Sequence, residues 1–164
     1  MVDIVDATTR SRMMSGIRSK STQPELAVRR ALHARGFRFV LHASGLPGCP
    51  DIVLPKWRVA IFVHGCFWHS HGCRLSKMPS SNTAFWSAKL EDNERRDALA
   101  HMTLISAGWR TAVVWECALK TAQSREQWPD LILQLDHWIR FQPSSISFET
   151  GGDSATPLIS DCNS

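Results

Sequence analysis

The chain has no long apolar segment, and this excludes a membrane-spanning helix. Its longest uninterrupted aliphatic or aromatic run has five residues, 59–63, whereas a spanning helix needs about 20. The N-terminal residues MVDIVDATTR include two acids and no apolar core, so we expect no secretory signal peptide. Cysteines are few, five in 164 residues. In a cytoplasmic protein, which we expect this to be, such residues are more often thiols or metal ligands than disulfides.

Charge of one sign is scarce at each end of the chain. Residues 10–38 contain eight Lys or Arg and a single acid, Glu25, while residues 141–164 contain three acids and no Lys or Arg. The basic end favours a surface that binds phosphates, although a solvated helix face gives the same pattern. The candidate phosphate contacts are Arg10, Arg12, Arg18 and Lys20.

No internal repeat and no interdomain linker divide the sequence, which predicts one folded domain. We expect a basic N-terminal arm over residues 1–21 and the domain over residues 22–141. Residues 142–164 are rich in Ser, Gly, Pro and Asp, which predicts a disordered tail. With 43% hydrophobic and 21% charged residues, the composition is that of a globular protein, and a chain of this length needs no disulfides to hold a core.

The order of predicted elements is helix, three strands, helix, strand, helix. The first helix begins at Thr22, where a capping box with Glu25 accounts for that acid, and ends at Gly36. The predicted strands cover residues 37–41, 51–54, 57–63 and 110–116, and the later helices cover residues 83–107 and 129–140. Residues 51–54 and 57–63 are expected to form a hairpin. This order predicts an α/β fold, a mixed sheet flanked by helices.

Four Cys and His residues have the chemistry of a structural zinc site, which is closed by four such ligands in a tetrahedron. Three of them fall within eight residues, and the fourth follows a predicted strand. His69 is a competing ligand, and Cys49 and Cys162 are expected to be unliganded. The alternative is a group of buried free thiols beside a surface His. The candidate ligands are Cys66, His71, Cys73 and Cys117.

Asp51 and His64 stand at the far ends of the two strands of the predicted hairpin. Because paired strands bring those ends together, both side chains are expected to face one site. A carboxylate there can hold Mg²⁺, and His69 is a candidate general base. Phosphodiester cleavage needs both a metal and a base. Asp97 either orients a catalytic His or pairs with a His one turn later on a solvated helix face.

Two Phe-Trp pairs stand close to these ligands: Phe67-Trp68, between a candidate zinc ligand and the candidate base, and Phe85-Trp86, at the start of the long predicted helix. Apolar side chains inserted between base pairs kink a DNA duplex and so favour base steps that are weakly stacked or paired. Packing around the zinc loop is the alternative explanation.

Several segments carry a resemblance to a known family. They are IFVHGCFWHSHGC, preceded by GCPDIVLP and followed by GWRTAVVWECAL, together with the opening TRSRMMSGI and FWSAKLEDNERRD. Over roughly residues 6–140 the sequence resembles the very short patch repair (Vsr) endonuclease family. The resemblance implies a restriction-endonuclease-like fold of the PD-(D/E)xK superfamily with a structural zinc site.

The resemblance also implies a function. Members of such a family are bacterial enzymes that nick one DNA strand 5′ to the T of a T:G mispair, which arises when 5-methylcytosine deaminates. The implied cofactors are catalytic Mg²⁺ and structural Zn²⁺. The implied partners are double-stranded DNA with a T:G mismatch, a functionally linked cytosine-5 DNA methyltransferase, and a repair polymerase and ligase downstream. We expect a monomer at the bacterial nucleoid, with no membrane contact.

Roles for individual residues follow from the same resemblance. Asp51 and the main-chain carbonyl at Val63 would hold Mg²⁺, and His69 would be the base with Asp97 behind it. The implied catalytic set is Asp51, His69, Asp97, His64 and Glu25. The implied zinc ligands are Cys66, His71, Cys73 and Cys117. The implied intercalating residues are Phe67, Trp68, Trp86 and, from the other groove, Met14.

The sequence departs from the family and superfamily patterns at a few positions. The acid-x-Lys of the superfamily is absent, since the strand ends Phe62-Val63-His64. Val63 replaces a more usual hydroxyl residue. Cys49 stands where Arg is common, which predicts an altered sequence context around the mismatch.

Two other functions compete with mismatch nicking. One is a non-catalytic binder of kinked or mismatched DNA, although such a binder needs no set like Asp51, His69 and Asp97. The other is a restriction-type nuclease of the same fold with another DNA target, which the aromatic residues Phe67, Trp68 and Trp86 disfavour. An RNA-binding zinc module has only the basic charge in its favour.

Overall fold

The structure, a computed structural model, describes residues 20–149, residue 8 and the strand residues Thr156–Pro157. Four helices are described: α1 (Gln23–Ala34), α2 (Thr83–Ser106), α3 (Glu116–Ser124) and α4 (Trp128–Phe141). The strands are β1 (Val40–Leu41), β2 (Ile52–Leu54), β3 (Val59–His64), β4 (Arg110–Trp115), β5 (Ile146–Phe148) and β6 (Thr156–Pro157). Short 3₁₀ turns follow β2 and precede α2, at Pro55–Trp57 and Arg74–Ser76. None of the described helices is long and apolar enough to cross a membrane.

The strands form one mixed sheet in the order β1-β2-β3-β4-β5-β6. The first three strands are antiparallel, β3, β4 and β5 run parallel, and β6 is antiparallel to β5. The predicted hairpin is present, with Ile52 opposite Ile61. Because β3 and β4 run parallel, the long helix α2 can connect them only by crossing one face of the sheet.

Helix α1 begins where the capping box predicts. The Thr22 hydroxyl accepts a hydrogen bond from the Glu25 backbone N–H at 3.4 Å, and Pro24 occupies an early helical position where no N–H is needed. The helix ends before Gly36, whose φ of +88° is the left-handed conformation that glycine adopts without strain. Local sequence therefore sets both ends of the helix that later presents Glu25.

Helices cover both faces of the sheet. One face packs with α1, α3 and α4 in the larger core, in which Val28, Ile61, Leu119 and Trp138 are almost fully buried. The opposite face packs against α2, mainly through Phe62 and Leu104. The predicted mixed α/β architecture, a sheet flanked by helices, is confirmed.

The structure differs from the sequence-based prediction in four elements, β1, α3, β5 and β6. The first strand is only Val40–Leu41 rather than residues 37–41, and helix α3 was not predicted. The predicted disordered tail, residues 142–164, includes β5, whose Ile146 and Phe148 are buried in the larger core. A serine-rich segment predicts disorder, but Ser147 of this segment is buried. Its hydroxyl accepts a hydrogen bond from Trp115 Nε1 at 2.9 Å, so burial leaves neither group without a partner.

Candidate active site

A cavity of about 720 Å³ opens where α1, α2 and the ends of β2 and β3 meet. Its lining brings together residues far apart in sequence, including Glu25, His42, Asp51, His64, His69 and Asp97. The hairpin explains part of this arrangement, because Asp51 directly precedes β2 and His64 ends β3. Both side chains line the same cavity, as the hairpin predicts.

Asp51 is held at the cavity wall by the neighbouring strand. Its Oδ2 accepts a hydrogen bond from the Val63 backbone N–H at 2.7 Å, and 18% of its side chain is exposed. Burial raises the pKa of Asp51 to about 6, although the Val63 N–H opposes that rise and the nearby Glu25 adds to it. A carboxylate that is this costly to ionise gains from a cation in the cavity.

Two stacked imidazole rings and one carboxylate lie together in the cavity that Asp51 lines. The His64 and His69 rings lie parallel, with centroids 3.7 Å apart and 4° between their planes. His69 Nδ1 is hydrogen-bonded to Asp97 Oδ2 on α2. Burial, with smaller effects from His69 and His101, holds the pKa of His64 well below its ordinary value. The His64 ring is therefore neutral and stacks on His69, and Asp97 fixes the orientation of the His69 ring.

Glu25 lies close to Asp51 in a partly buried polar network. Its Oε2 accepts hydrogen bonds from the Ser21 backbone N–H at 2.8 Å and from Arg29 Nη2 at 2.7 Å. Arg29 also contacts His42 Nε2 at 2.8 Å, and His42 Nδ1 lies 3.8 Å from Asp51 Oδ1. Burial, then Arg29, lowers the pKa of His42. Glu25 is thus both the capping residue and a member of the site.

The four candidate zinc ligands converge next to the cavity. One donor atom from each of them lies within 4.8 Å of the others. The group joins the loop after β3 to the first turn of α3, with Cys66 and Cys117 buried. Sulfur and imidazole donors in this number fit a structural zinc. The converging residues are Cys66, His71, Cys73 and Cys117.

Contacts around this cluster orient its donors. His71 Nδ1 lies 3.5 Å from Cys117 Sγ, and its Nε2 lies 2.8 Å from Glu149 Oε2. Burial raises the pKa of the Cys66 thiol. Burial acts in the same direction on Cys73, but hydrogen bonds from His71 and the Leu75 backbone outweigh it and lower the pKa of Cys73 to about 6. An imidazole with one nitrogen on the cluster and the other on a carboxylate is typical of a metal ligand.

The aromatic residues form a separate cluster that reaches the cavity through Trp68, one of its lining residues. The Phe67 ring lies edge-on to Trp68 at 5.1 Å and to Trp86 at 5.4 Å between centroids. All three rings are partly exposed, and neither core cluster includes them. Phe85, on their outer side, is 54% exposed. The Trp68 carbonyl accepts a hydrogen bond from Asn93 Nδ2 at 2.8 Å, which anchors the loop to α2.

Several candidate residues have another position or lie outside the described chain. Lys20 is exposed and lines the cavity. Cys49 is exposed, lines the cavity and is absent from the cysteine cluster. The predicted residues outside the described part of the chain are Arg10, Arg12, Met14, Arg18 and Cys162.

Three residues of the site were missed by sequence reasoning. Arg29 and His42 join Glu25 to Asp51, and Glu149 contacts the zinc-type cluster. The pairing of β1 with β2 would have revealed His42, because it follows Leu41, whose partner is Ile52. Nothing in the composition of the last 23 residues indicated Glu149.

Comparisons with known proteins agree on one family. The sequence model of the family described as DNA mismatch endonuclease Vsr matches residues 2–75. The Type II nicking enzyme V.XorIIP of Xanthomonas oryzae is 50% identical over 119 residues, 73% of this chain and 88% of that protein. The Type II nicking enzyme V.NmeAIP of Neisseria meningitidis is 41% identical, over 82% of this chain and 97% of that protein.

The DNA mismatch endonuclease Vsr of Escherichia coli is 39% identical over 154 residues, 93% of this chain and 97% of that protein. Identity at this level over almost the whole length of both chains shows common descent. The chain therefore belongs to the Vsr family of DNA endonucleases.

Proposed function

We propose that this endonuclease nicks one strand of duplex DNA 5′ to the T of a T:G mispair formed by deamination of 5-methylcytosine. The observation that carries the proposal is the cavity in which Asp51 and the His69–Asp97 pair meet. In the proposed step, a water oxygen attacks phosphorus and the bond from phosphorus to O3′ breaks. The 5′-phosphate stays on the T and the other product ends in a 3′-hydroxyl.

Asp51 and the main-chain carbonyl of Val63 are the proposed Mg²⁺ ligands. Oxygen donors of this kind suit Mg²⁺, and the buried Asp51 carboxylate, with its raised pKa, gains from a cation. When bound, Mg²⁺ would offset the negative charge on the scissile phosphate. The Val63 N–H fixes Asp51 Oδ2, which leaves Oδ1 facing His42.

His69 is the proposed general base. Asp97 engages Nδ1, so Nε2 is the ring nitrogen that would accept the proton of the attacking water. His64, stacked on His69 and neutral, would keep that ring in its plane. Glu25 is the remaining member of the proposed site, and Arg29 links it to His42. A DNA binder without catalytic activity has no need of this arrangement.

We further propose that Cys66, His71, Cys73 and Cys117 hold a structural zinc ion. The ion would tie the loop after β3 to helix α3, and that loop carries the proposed base and two of the aromatic residues, Phe67 and Trp68. We propose that this α/β fold is the restriction-endonuclease-like fold that the family resemblance implies. The contact between His71 and Glu149 supports the assignment, since zinc-bound imidazoles commonly hold a carboxylate on the other nitrogen.

Phe67, Trp68 and Trp86 are the proposed wedge that opens the duplex at the mispair, with Met14 entering from the other groove. Partly exposed aromatic rings outside the main cores support this role. Arg10, Arg12, Arg18 and Lys20 are the proposed phosphate contacts, of which Lys20 lines the cavity.

The proposed biological setting follows from the reaction. A cytosine-5 DNA methyltransferase would create the base whose deamination gives T:G, and a polymerase and ligase would act on the nick. We propose a monomer that works on bacterial DNA at the nucleoid.

The test is nicking of a labelled duplex library with a central T:G or T:A pair and varied flanking bases, in Mg²⁺ or EDTA. We expect a Mg²⁺-dependent nick 5′ to T in the T:G duplexes, and an Asp51→Ala protein that binds the same duplexes without nicking them. Wild-type rates in Asp51→Ala would refute the role of Asp51.

A nuclease with another DNA target is the second candidate, and the relatives named Type II nicking enzymes are compatible with it. Equal nicking of T:A and T:G duplexes in one sequence context would favour that candidate. Cys49, in the cavity where the family commonly has Arg, makes the flanking preference a useful measurement.

A further inference from the structure

His42 is placed against Asp51 by the sheet. Strand β1 pairs antiparallel with β2, so the residue after Leu41 lies opposite the residue before Ile52. The His42 backbone N–H donates to the Asp51 carbonyl at 3.3 Å. His42 has a φ of +46°, a left-handed conformation that is uncommon for a residue other than glycine. The backbone of both residues is therefore fixed at one edge of the cavity.

The guanidinium of Arg29 is nearly buried, and its two terminal nitrogens contact three polar partners. Its side chain is 9% exposed. Its Nη2 lies 2.7 Å from Glu25 Oε2 and 2.8 Å from His42 Nε2, and its Nη1 donates to Ser21 Oγ at 3.2 Å. The guanidinium is thus a bridge between the acid on α1 and the imidazole beside Asp51.

This bridge determines which nitrogen of His42 carries the proton. A guanidinium has only donors, so His42 Nε2 must be the acceptor. The single proton of the neutral ring then sits on Nδ1, the nitrogen that lies 3.8 Å from Asp51 Oδ1. A doubly protonated ring would place two donors against each other at Nε2.

We propose that Arg29 and His42 form a positioning pair for Asp51, in which Arg29 holds His42 as the tautomer that presents an N–H to the carboxylate. This inference rests on the proposed role of Asp51 as the Mg²⁺ ligand. Asp51 Oδ2 accepts a hydrogen bond from the Val63 N–H, and the His42 N–H would face the other oxygen across 3.8 Å. Residues that contact a metal ligand without binding the metal themselves fix the orientation of that ligand. Their loss typically lowers metal affinity about 10–100-fold.

The pair also keeps a nitrogen ligand away from the metal. A ring nitrogen that carries a proton has no lone pair to give, so the metal would be offered oxygen ligands alone. Oxygen ligands suit Mg²⁺, whereas imidazole suits softer transition metals. Donor atoms of Glu25, His42 and Asp51 do lie within 4.8 Å of one another. However, the Arg29 cation sits on two of these residues and opposes a metal ion between them.

The first measurement is the tautomer of His42 in the zinc-loaded, full-length protein. Two-dimensional ¹H–¹⁵N spectra of the imidazole rings report which nitrogen carries the proton, and the His42 signals are assigned as those missing from His42→Gln. We expect the proton on Nδ1 and a lone pair on Nε2. A proton on Nε2, or on both nitrogens at neutral pH, would overturn the proposal.

The second measurement is Mg²⁺ binding to the DNA-free protein by calorimetry. His42→Leu should bind Mg²⁺ at least about tenfold more weakly. His42→Gln should retain most of the affinity, because its amide oxygen accepts from Arg29 and its amide nitrogen donates toward Asp51. His33→Leu, which removes an exposed His of α1, is the matched control and should leave Mg²⁺ binding unchanged.

The outcomes separate the inference from the proposed function. Unchanged Mg²⁺ binding in His42→Leu, with binding lost in Asp51→Asn, overturns the positioning role and leaves Asp51 as the ligand. Equal losses in His42→Gln and His42→Leu mean that the ring itself is a ligand, which also overturns the proposal. Unchanged binding in Asp51→Asn refutes the proposed role of Asp51, and this inference with it.

Discussion

Burial in the cavity disfavours charged side chains, and neighbouring groups offset this cost to different degrees. Burial raises the pKa of Asp51 to about 6 and depresses the pKa of His64. Glu25 is buried but paired with Arg29 at 2.7 Å. Of these, Asp51 has only the Val63 N–H in the metal-free protein as a close hydrogen-bond donor among the described residues. The site should therefore be less stable than an isosteric neutral site.

Asp51→Asn should stabilise the metal-free protein at neutral pH. Raising a carboxyl pKa from 3.8 to about 6 corresponds to a gain of roughly 1–3 kcal/mol when the charge is removed. Because the unfolded chain ionises first, wild type loses stability relative to the variant as pH rises from about 4 to about 6, and the difference is constant above that. Urea unfolding across this range, with the exposed Asp92→Asn as control, checks it. A variant less stable than wild type at neutral pH would contradict the argument.

His69→Ala should slow nicking far more than it weakens DNA binding. A positioned general base typically contributes about 10²–10⁴-fold to rate. Asp97 only orients the His69 ring through Nδ1, so Asp97→Asn should slow nicking less than His69→Ala does. Single-turnover rates and binding constants on one T:G duplex separate the two effects. Unchanged single-turnover rates in His69→Ala would mean that another group is the base.

At the scale of elements, sequence predicted those features that local chemistry determines. Thr22 and Glu25 set the start of α1, and two short apolar runs joined at residues 55–56 predicted the hairpin that brings Asp51 to His64. Helix α3 and strand β5 were missed because tertiary contacts stabilise them. Ile146 and Phe148 are buried by neighbours that a serine-rich composition cannot reveal.

The candidate site shows the same contrast between residues that are close in sequence and residues that only tertiary structure brings together. His64, His69 and Cys66 lie in one short segment, so their proximity was visible in the sequence. His42 and Arg29 reach Asp51 only through strand pairing and helix packing, which depend on the register of β1 against β2. Residues such as His42 and Arg29, which carry no motif and reach the site only through strand register and helix packing, are therefore the ones that the sequence did not reveal.

The loop between β3 and α2 should depend on zinc for its order. We expect one zinc per chain that survives mild EDTA treatment, and Cys73→Ser should lose the ion and melt at a much lower temperature. Structural zinc contributes on the order of 10 kcal/mol in small domains, so even part of that loss is large. Elemental analysis and thermal melting check this. Cys49→Ser, outside the cluster, should keep its zinc, and purified wild type without zinc would refute the assignment.

For the whole molecule, one loop carries residues of the proposed active site, of the Cys/His cluster and of the aromatic cluster. The segment from His64 to Cys73 leaves the sheet beside the end of β4. It carries the candidate base, three donors of the Cys/His cluster and two of the aromatic residues. Trp68 and His69 are neighbours on this loop and both line the cavity, so in the proposed function the opening of a base step and cleavage would occur at neighbouring positions on the DNA.

Trp68→Ala should lose discrimination between T:G and T:A duplexes while keeping salt-dependent, non-specific DNA binding. Opening a base step costs a few kcal/mol, and less where pairing is already weak, so an inserted ring favours the mispair. The loop itself should persist, because the Trp68 backbone carbonyl, not its ring, accepts from Asn93. Trp57→Ala is the matched control, since Trp57 packs on the larger core and its loss should lower the melting temperature with little effect on selectivity. Melting temperature and the T:G to T:A binding ratio are measured on both variants. A destabilised Trp68→Ala with unchanged selectivity would show that the ring is packing around the loop and not a wedge.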